Sequence, residues 1–119
     1  MLFISINILI MINKSFVYMF CDPSQDLYKI GVTKNLYSKR MKQLQTGNGT
    51  ELHLVKFHET FFPYRIEQFL HSKFSDKREQ GEWFRLTIED IEKFSDLCEE
   101  YENLIETLKD NPFFAKNLR

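Results

Sequence analysis

Cysteine, glycine and proline are all scarce in this sequence, and each scarcity closes off a class of protein. Two cysteines in 119 residues are too few for a disulfide scaffold, and Cys21 and Cys98 share no metal-ligand spacing. They read as buried thiols of a reducing, intracellular compartment, nuclear or cytoplasmic. His53, His58 and His71 also lack tight ligand spacing, which argues against a structural zinc site. Four glycines and three prolines mark no linker and no low-complexity tract. Long hydrophobic runs are missing too: the opening "MLFISINILIMI" is twelve residues, short of a membrane span and without a convincing cleavage site after it. No membrane partner is expected. Nor is there an excess of positive charge; a net charge of −1 and a pI near 6.3 argue against a general polyanion binder.

What is present suits one folded domain. Apolar residues make up 43% of the chain, with twelve Phe, five Tyr and one Trp to fill a dense core. Charge is divided rather than balanced locally. Tyr28 to His58 carries six Lys/Arg against one Glu, whereas Glu89 to Asp110 carries nine acids against two lysines. A basic face can thus meet phosphate while an acidic helix faces water. Residues 1–14 read as an apolar extension. Met11 is a candidate natural start, which makes the extension dispensable; the other reading has Phe3 to Ile10 adding an edge strand or covering an exposed face.

The pattern predicts a strand at Phe16–Phe20, a turn at Asp22–Asp26 and a returning strand at Leu27–Thr33. The two-residue period puts Tyr28, Ile30 and Val32 on one face and Lys29, Gly31 and Thr33 on the other. A lysine, a missing side chain and a hydroxyl on one surface leave room beside a charge. Asn35 is a candidate N-cap for a helix to about Gln45, ended by "TGNG". A third strand is expected at Leu52–Phe57, a second helix at Tyr64–Phe74 behind Pro63, and an extended segment at "GEWFRL". Thr87 and Asp90 form a capping box for a last helix. Its stripe of Ile91, Phe94, Cys98, Tyr101, Ile105 and Leu108 either docks on its own domain or forms a homodimer seam. The order β-β-α-β-α-(β)-α is that of a mixed α+β domain.

Tyr18, Lys29, Arg40 and Glu67 fall on four consecutive elements, with His71 one helical turn beyond Glu67. Cutting a phosphodiester needs a base or a positioned water, a cation for the developing charge, a metal at the oxyanions and a proton source. These side chains can fill those roles. Taken singly, each also has an ordinary reading: a strand tyrosine as core or rim, a helix arginine as solvated, a helix glutamate as one face of an amphipathic pattern.

Five separated pieces, "FVY", "YKIG" with the following threonine, "RMKQLQTG", "E…H…F" across Glu67–Phe74, and "GEWF", occur in order between Phe16 and Leu86. Together they resemble the GIY-YIG nuclease superfamily. The similarity is to the small branch named for a bacteriophage T5 open reading frame, often described as a DNA-binding domain. The resemblance implies a short antiparallel sheet flanked by helices over residues 15–86, with the long C-terminal helix and tail over 87–119. It implies a divalent-metal-dependent DNA endonuclease using Mg²⁺ or Mn²⁺. The alternatives are a weak or inactive DNA-binding module of the same fold, and a structural or protein-interaction domain. By the same resemblance Tyr18 helps activate the nucleophile, Arg40 steadies the phosphorane charge and Glu67 holds the metal. His71 is a proton relay or supports the glutamate, and Lys34, Lys39 and Lys42 contact phosphate. Three departures stand out. Phe16 replaces the first glycine of the name motif. Lys29 replaces the second tyrosine. Arg40 lies one residue further from Gly31 than is usual, leaving Lys39 in the nominal arginine position.

Overall fold

The structure, a computed structural model, describes residues 14–36 and 51–115, with side chains to 113. All of the apolar extension but Lys14 falls outside the described residues, as do Lys39, Arg40, Lys42 and most of the helix expected from Asn35. Within them the chain forms β1 (Ser15–Asp22), β2 (Leu27–Thr33), β3 (His53–Thr60) and α1 (Pro63–Lys73). There follow β4 (Arg78–Gln80), β5 (Trp83–Phe84), α2 (Ile88–Leu108) and a short α3 (Pro112–Ala115). The strands make one antiparallel sheet in the order β3-β1-β2-β5-β4, flanked by helices. The expected α+β class is the one found.

Strand β1 lies between β3 and β2, and both of its faces carry buried residues. Val17 and Met19 join the main core with Ile30, Phe84, Ile66, Leu70, Phe94, Cys98 and Ile105. Tyr18 and Phe20 point the other way, into a smaller cluster with Leu52, against which Leu36 and Trp83 pack. The turn into β2 is held by Asp22, a nearly inaccessible carboxylate. It accepts hydrogen bonds from the Ser24 backbone (3.0 Å), the Ser24 hydroxyl (2.6 Å) and the Gln25 amide (3.0 Å). Asp26 closes the turn with φ +54°, a conformation that aspartate tolerates better than most residues.

Two strands differ from the sequence expectation. β3 runs on to Thr60, because Ser15 and Phe16 continue to pair with Thr60 and Glu59. Strand β4 has no apolar alternation; its three residues are all exposed. Pairing makes it a strand: Gln80 faces Trp83 across a two-residue loop in which Gly81 adopts φ +56°, as tight hairpins require of their first loop residue.

Helix α1 begins at Pro63, where a missing N–H costs nothing, and buries Ile66 and Leu70. Phe69 stacks on Tyr101 of α2, with centroids 4.2 Å apart and planes 6° from parallel. Along α2, Phe94, Cys98 and Ile105 are wholly buried in this chain's own core, with Ile91 and Tyr101 packed beside them. The stripe that could have formed a seam is occupied within the chain. Both described cysteines are free; Cys98 is buried but Cys21 only partly so. Burial, with Glu102 and Glu99 nearby, pushes the Cys98 thiol up to about 12, so it stays protonated and packs as an apolar group. No helix among the described residues is long and apolar enough to cross a membrane.

The expected capping box is complete. The Thr87 hydroxyl accepts from the Asp90 N–H (3.2 Å) and Asp90 Oδ2 accepts from the Thr87 N–H (2.9 Å). The same carboxylate takes Lys77 Nζ at 2.5 Å. Burial opposes ionisation of Asp90, but its hydrogen bonds from Lys77 and Thr87 outweigh that and hold its pKa below the usual value. A carboxylate with a depressed folded pKa stabilises the fold above its unfolded pKa and loses that contribution as pH falls through the folded one. Asp90→Asn is therefore expected to lower Tm at pH 7, with the difference from the parent shrinking below about pH 4. Thr87→Ala is expected to cost about 1 kcal/mol at neutral pH. Thermal melts across pH check both.

Candidate functional site

The register of the first hairpin builds the site. Antiparallel pairing sets Tyr18 of β1 opposite Gly31 of β2. On β2, Lys29, Gly31 and Thr33 share one face, and the Tyr18 ring lies across the space that Gly31 leaves. A Cβ at residue 31 would collide with the Tyr18 hydroxyl and stand 2.7 Å from Cζ, closer than real side chains approach, and a tight 3.2 Å from Cε2. The glycine is thus the seat of the tyrosine, and the phenol oxygen is brought against β2 at the point flanked by Lys29 and Thr33.

Beside this seat is an open cleft of about 510 Å³. β1 and β2 give it Ser15, Tyr18, Lys29 and Thr33, and the chain after β2 gives Lys34 and Asn35. Helix α1 contributes Tyr64 and Glu67, and the β4–β5 loop contributes Glu82. Lys29 Nζ lies 3.8 Å from Glu82 Oε2 and 5.8 Å from the centroid of the Trp83 ring. The loop is pinned to β2 by a hydrogen bond from Ile30 N–H to the Glu82 carbonyl, 3.1 Å. Burial first, and the neighbouring Glu82 second, raise the Glu67 carboxyl to about 7. Two carboxylates and two lysines thus share a half-enclosed space whose walls are about as apolar as they are polar.

Tyr18, Lys29, Lys34 and Glu67, predicted from separate parts of the sequence, therefore line one cleft. His71 lies a turn beyond Glu67 but turns to the sheet. Its Nε2–H donates to the Ile30 carbonyl at 3.0 Å, and Nδ1 accepts from the Arg78 guanidinium at 3.3 Å. The ring meets Phe84 edge-on, with centroids 5.0 Å apart. In this arrangement it ties α1 to β2 at the residue before Gly31. Arg40, Lys39 and Lys42 lie outside the described residues.

Sequence reasoning placed Thr33 on the face of Lys29 but missed Glu82 and Tyr64 as members of the cleft. Tyr64 precedes Glu67 by one helical turn, a spacing that places both on one side of α1 and was legible. Glu82 had no such signal, since its position depends on the β2–β5 pairing of Lys29 with Trp83.

Among the described residues, no group of three or more His, Cys, Asp or Glu side chains converges on a point. The donor chemistry of the cleft is hard carboxylate oxygen, from Glu67 with Glu82 beside it. That set does not suit zinc. It fits a cation such as Mg²⁺ or Mn²⁺ that keeps several waters and takes its remaining oxygens from phosphate.

The family model described as the T5orf172 domain matches residues 15–99, a span that includes every cleft residue named above. No curated protein and no solved structure matches the chain.

Proposed function

Because the chain belongs to the T5orf172 domain family, we propose that it is a divalent-metal-dependent DNA endonuclease that hydrolyses phosphodiester bonds in this cleft. One observation carries the reading: Tyr18, Lys29 and Glu67, from three separate elements, line the same concave surface. A protein-interaction domain has no use for that convergence.

Each residue has a task in such a reaction. Tyr18, held rigid over Gly31, orders the attacking water or takes part in moving its proton. Lys29, with its charge fixed at the base of the cleft, steadies the negative charge that grows on the phosphate oxygens as the new P–O bond forms and the old one breaks. Glu67, with Glu82 near it, is the group that would hold Mg²⁺ or Mn²⁺. Such an ion, when bound, supplies Lewis-acid neutralisation of the phosphate oxygens. Lys34 at the exposed end of β2 positions a neighbouring phosphate without reading sequence. Arg40 is assigned the second cation of the site by its place in the motif. His71 supports the geometry by holding α1 against β2.

The test is cleavage of supercoiled plasmid and of single-stranded DNA with Mg²⁺ or Mn²⁺, beside EDTA and Glu67→Ala controls. Cleavage that disappears in both controls while DNA binding survives supports the enzyme. Binding by the parent without cleavage would identify a DNA-binding module instead. Neither binding nor cleavage would leave the structural or protein-interaction reading.

A further inference from the structure

Tyr64 stands one helical turn ahead of Glu67 on α1, and both side chains line the cleft. Its setting is unlike that of Tyr18. Tyr18 is 3% exposed, whereas Tyr64 is 59% exposed. The core has no need of an aromatic ring at residue 64, because α1 is anchored by Ile66 and Leu70 with Phe62 and Phe69 packed against them. An amphipathic ring is thus left in solvent at the mouth of the cleft.

Its neighbourhood repeats the combination of ring and cation. Phe61, three residues earlier, is 42% exposed, and Lys14 Nζ lies 5.3 Å from its ring centroid. Ser15, next to Lys14, lines the cleft, and so does the exposed Lys34. Cations that track phosphates beside rings that take bases are how single-stranded nucleic acid is held. A base inside a duplex has both faces covered by its neighbours, so only an unstacked base can lie on a side chain.

We infer that Tyr64 is a stacking platform for an unpaired base next to a phosphate that Lys29 holds in the cleft. The preferred substrate is then DNA with such a base, a single strand or a flap, over continuous duplex. This rests on the nucleic-acid reading of the cleft and narrows it. The hydroxyl of Tyr64 is not needed for stacking; the ring is.

Fluorescence anisotropy with oligothymidylate and with a blunt hairpin duplex of equal length, with and without Mg²⁺, tests it. Tyr64→Ala is expected to weaken single-strand binding roughly 5- to 100-fold, to change duplex binding less than about twofold, and to melt like the parent. Tyr64→Phe and Tyr64→Trp are expected to restore single-strand affinity, and the indole emission of the Tyr64→Trp protein should be quenched by the single strand but not by the hairpin. An equal loss on both DNAs, or no loss on either, overturns the inference while leaving the nuclease reading intact. A parent protein that binds neither DNA overturns both.

Discussion

Glu67→Gln is expected to abolish DNA cleavage while making the protein more resistant to heat above pH 7. The two effects have one origin. Glu67 is a half-buried carboxyl beside Glu82, and its pKa of about 7 means that the fold disfavours its charge. Below the unfolded value near 4.5 the carboxyl is protonated in both states and contributes no difference. As pH rises toward 7 the unfolded chain ionises first, so the folded state loses relative stability, and above 7 the full penalty is present. Glutamine keeps the shape and removes the charge. After discounting for its half-exposed position, the gain is about 1 kcal/mol, or some 5 °C in Tm. It should be visible at pH 8 and absent at pH 4.5.

The same substitution removes the anionic oxygen that would hold the metal, and cleavage is expected to fall at least about a hundredfold. Mg²⁺ should raise the Tm of the parent at pH 8 by mass action and leave the Glu67→Gln protein unmoved. For the parent, Mg²⁺ affinity should increase with pH through about 7, because the ion binds the carboxylate only after Glu67 gives up its proton. A variant that still cuts would remove Glu67 from the reaction. A Tm gain equal at both pH values would show that charge is not its cause.

The second large effect is expected from Gly31→Val. The backbone at residue 31 does not need glycine for its own conformation, since of the two described glycines it is Gly81 that has a positive φ. The cost is steric and falls on Tyr18, whose hydroxyl and Cζ lie too close to the position of the new Cβ. That ring is buried and packs against Phe20, with centroids 5.1 Å apart, so it cannot simply swing aside. Overpacking of this kind costs about 1–3 kcal/mol, and the displaced phenol should take most of the cleavage activity with it. Tyr18→Ala should destabilise the Gly31→Val chain by less than it destabilises the parent, because it removes the clash along with the ring, and should restore none of the activity. That non-additivity in a double-mutant cycle would demonstrate the seat. If the two substitutions add independently in urea melts, the tyrosine is not resting on the glycine.

Much of this architecture was legible because it is written in short-range patterns. The alternation from Leu27 to Thr33 assigned Lys29, Gly31 and Thr33 to one face before any partner strand was known. Thr87 and Asp90, three apart, announced the start of α2, and the stripe from Ile91 announced its buried side. The failures share a cause as well. "REQ" at 78–80 becomes strand only through pairing with Trp83 and Phe84, and nothing in three polar residues encodes that. Glu82 enters the cleft because β5 lies beside β2, a relation between residues more than fifty positions apart. His71 matched a motif position, yet its hydrogen bond to the Ile30 carbonyl is a tertiary fact that no helical spacing reveals.

The sheet order also dictates when the cleft can come into being as the chain folds. β1 and β2 form a local hairpin, and β4 and β5 another, each closing a short loop. The β2–β5 pairing joins Tyr28 to Phe84 and has to overcome the closure entropy of everything between them. Tyr18 and Lys29 can meet early, and Glu67 joins them when α1 packs on β1 and β2, but Glu82 reaches them only once this late seam has formed. A folding intermediate holding the first hairpin alone would carry the tyrosine and the lysine without either carboxylate. The complete cleft, with both carboxylates beside the tyrosine and the lysine, is on this route the last feature the nascent chain acquires.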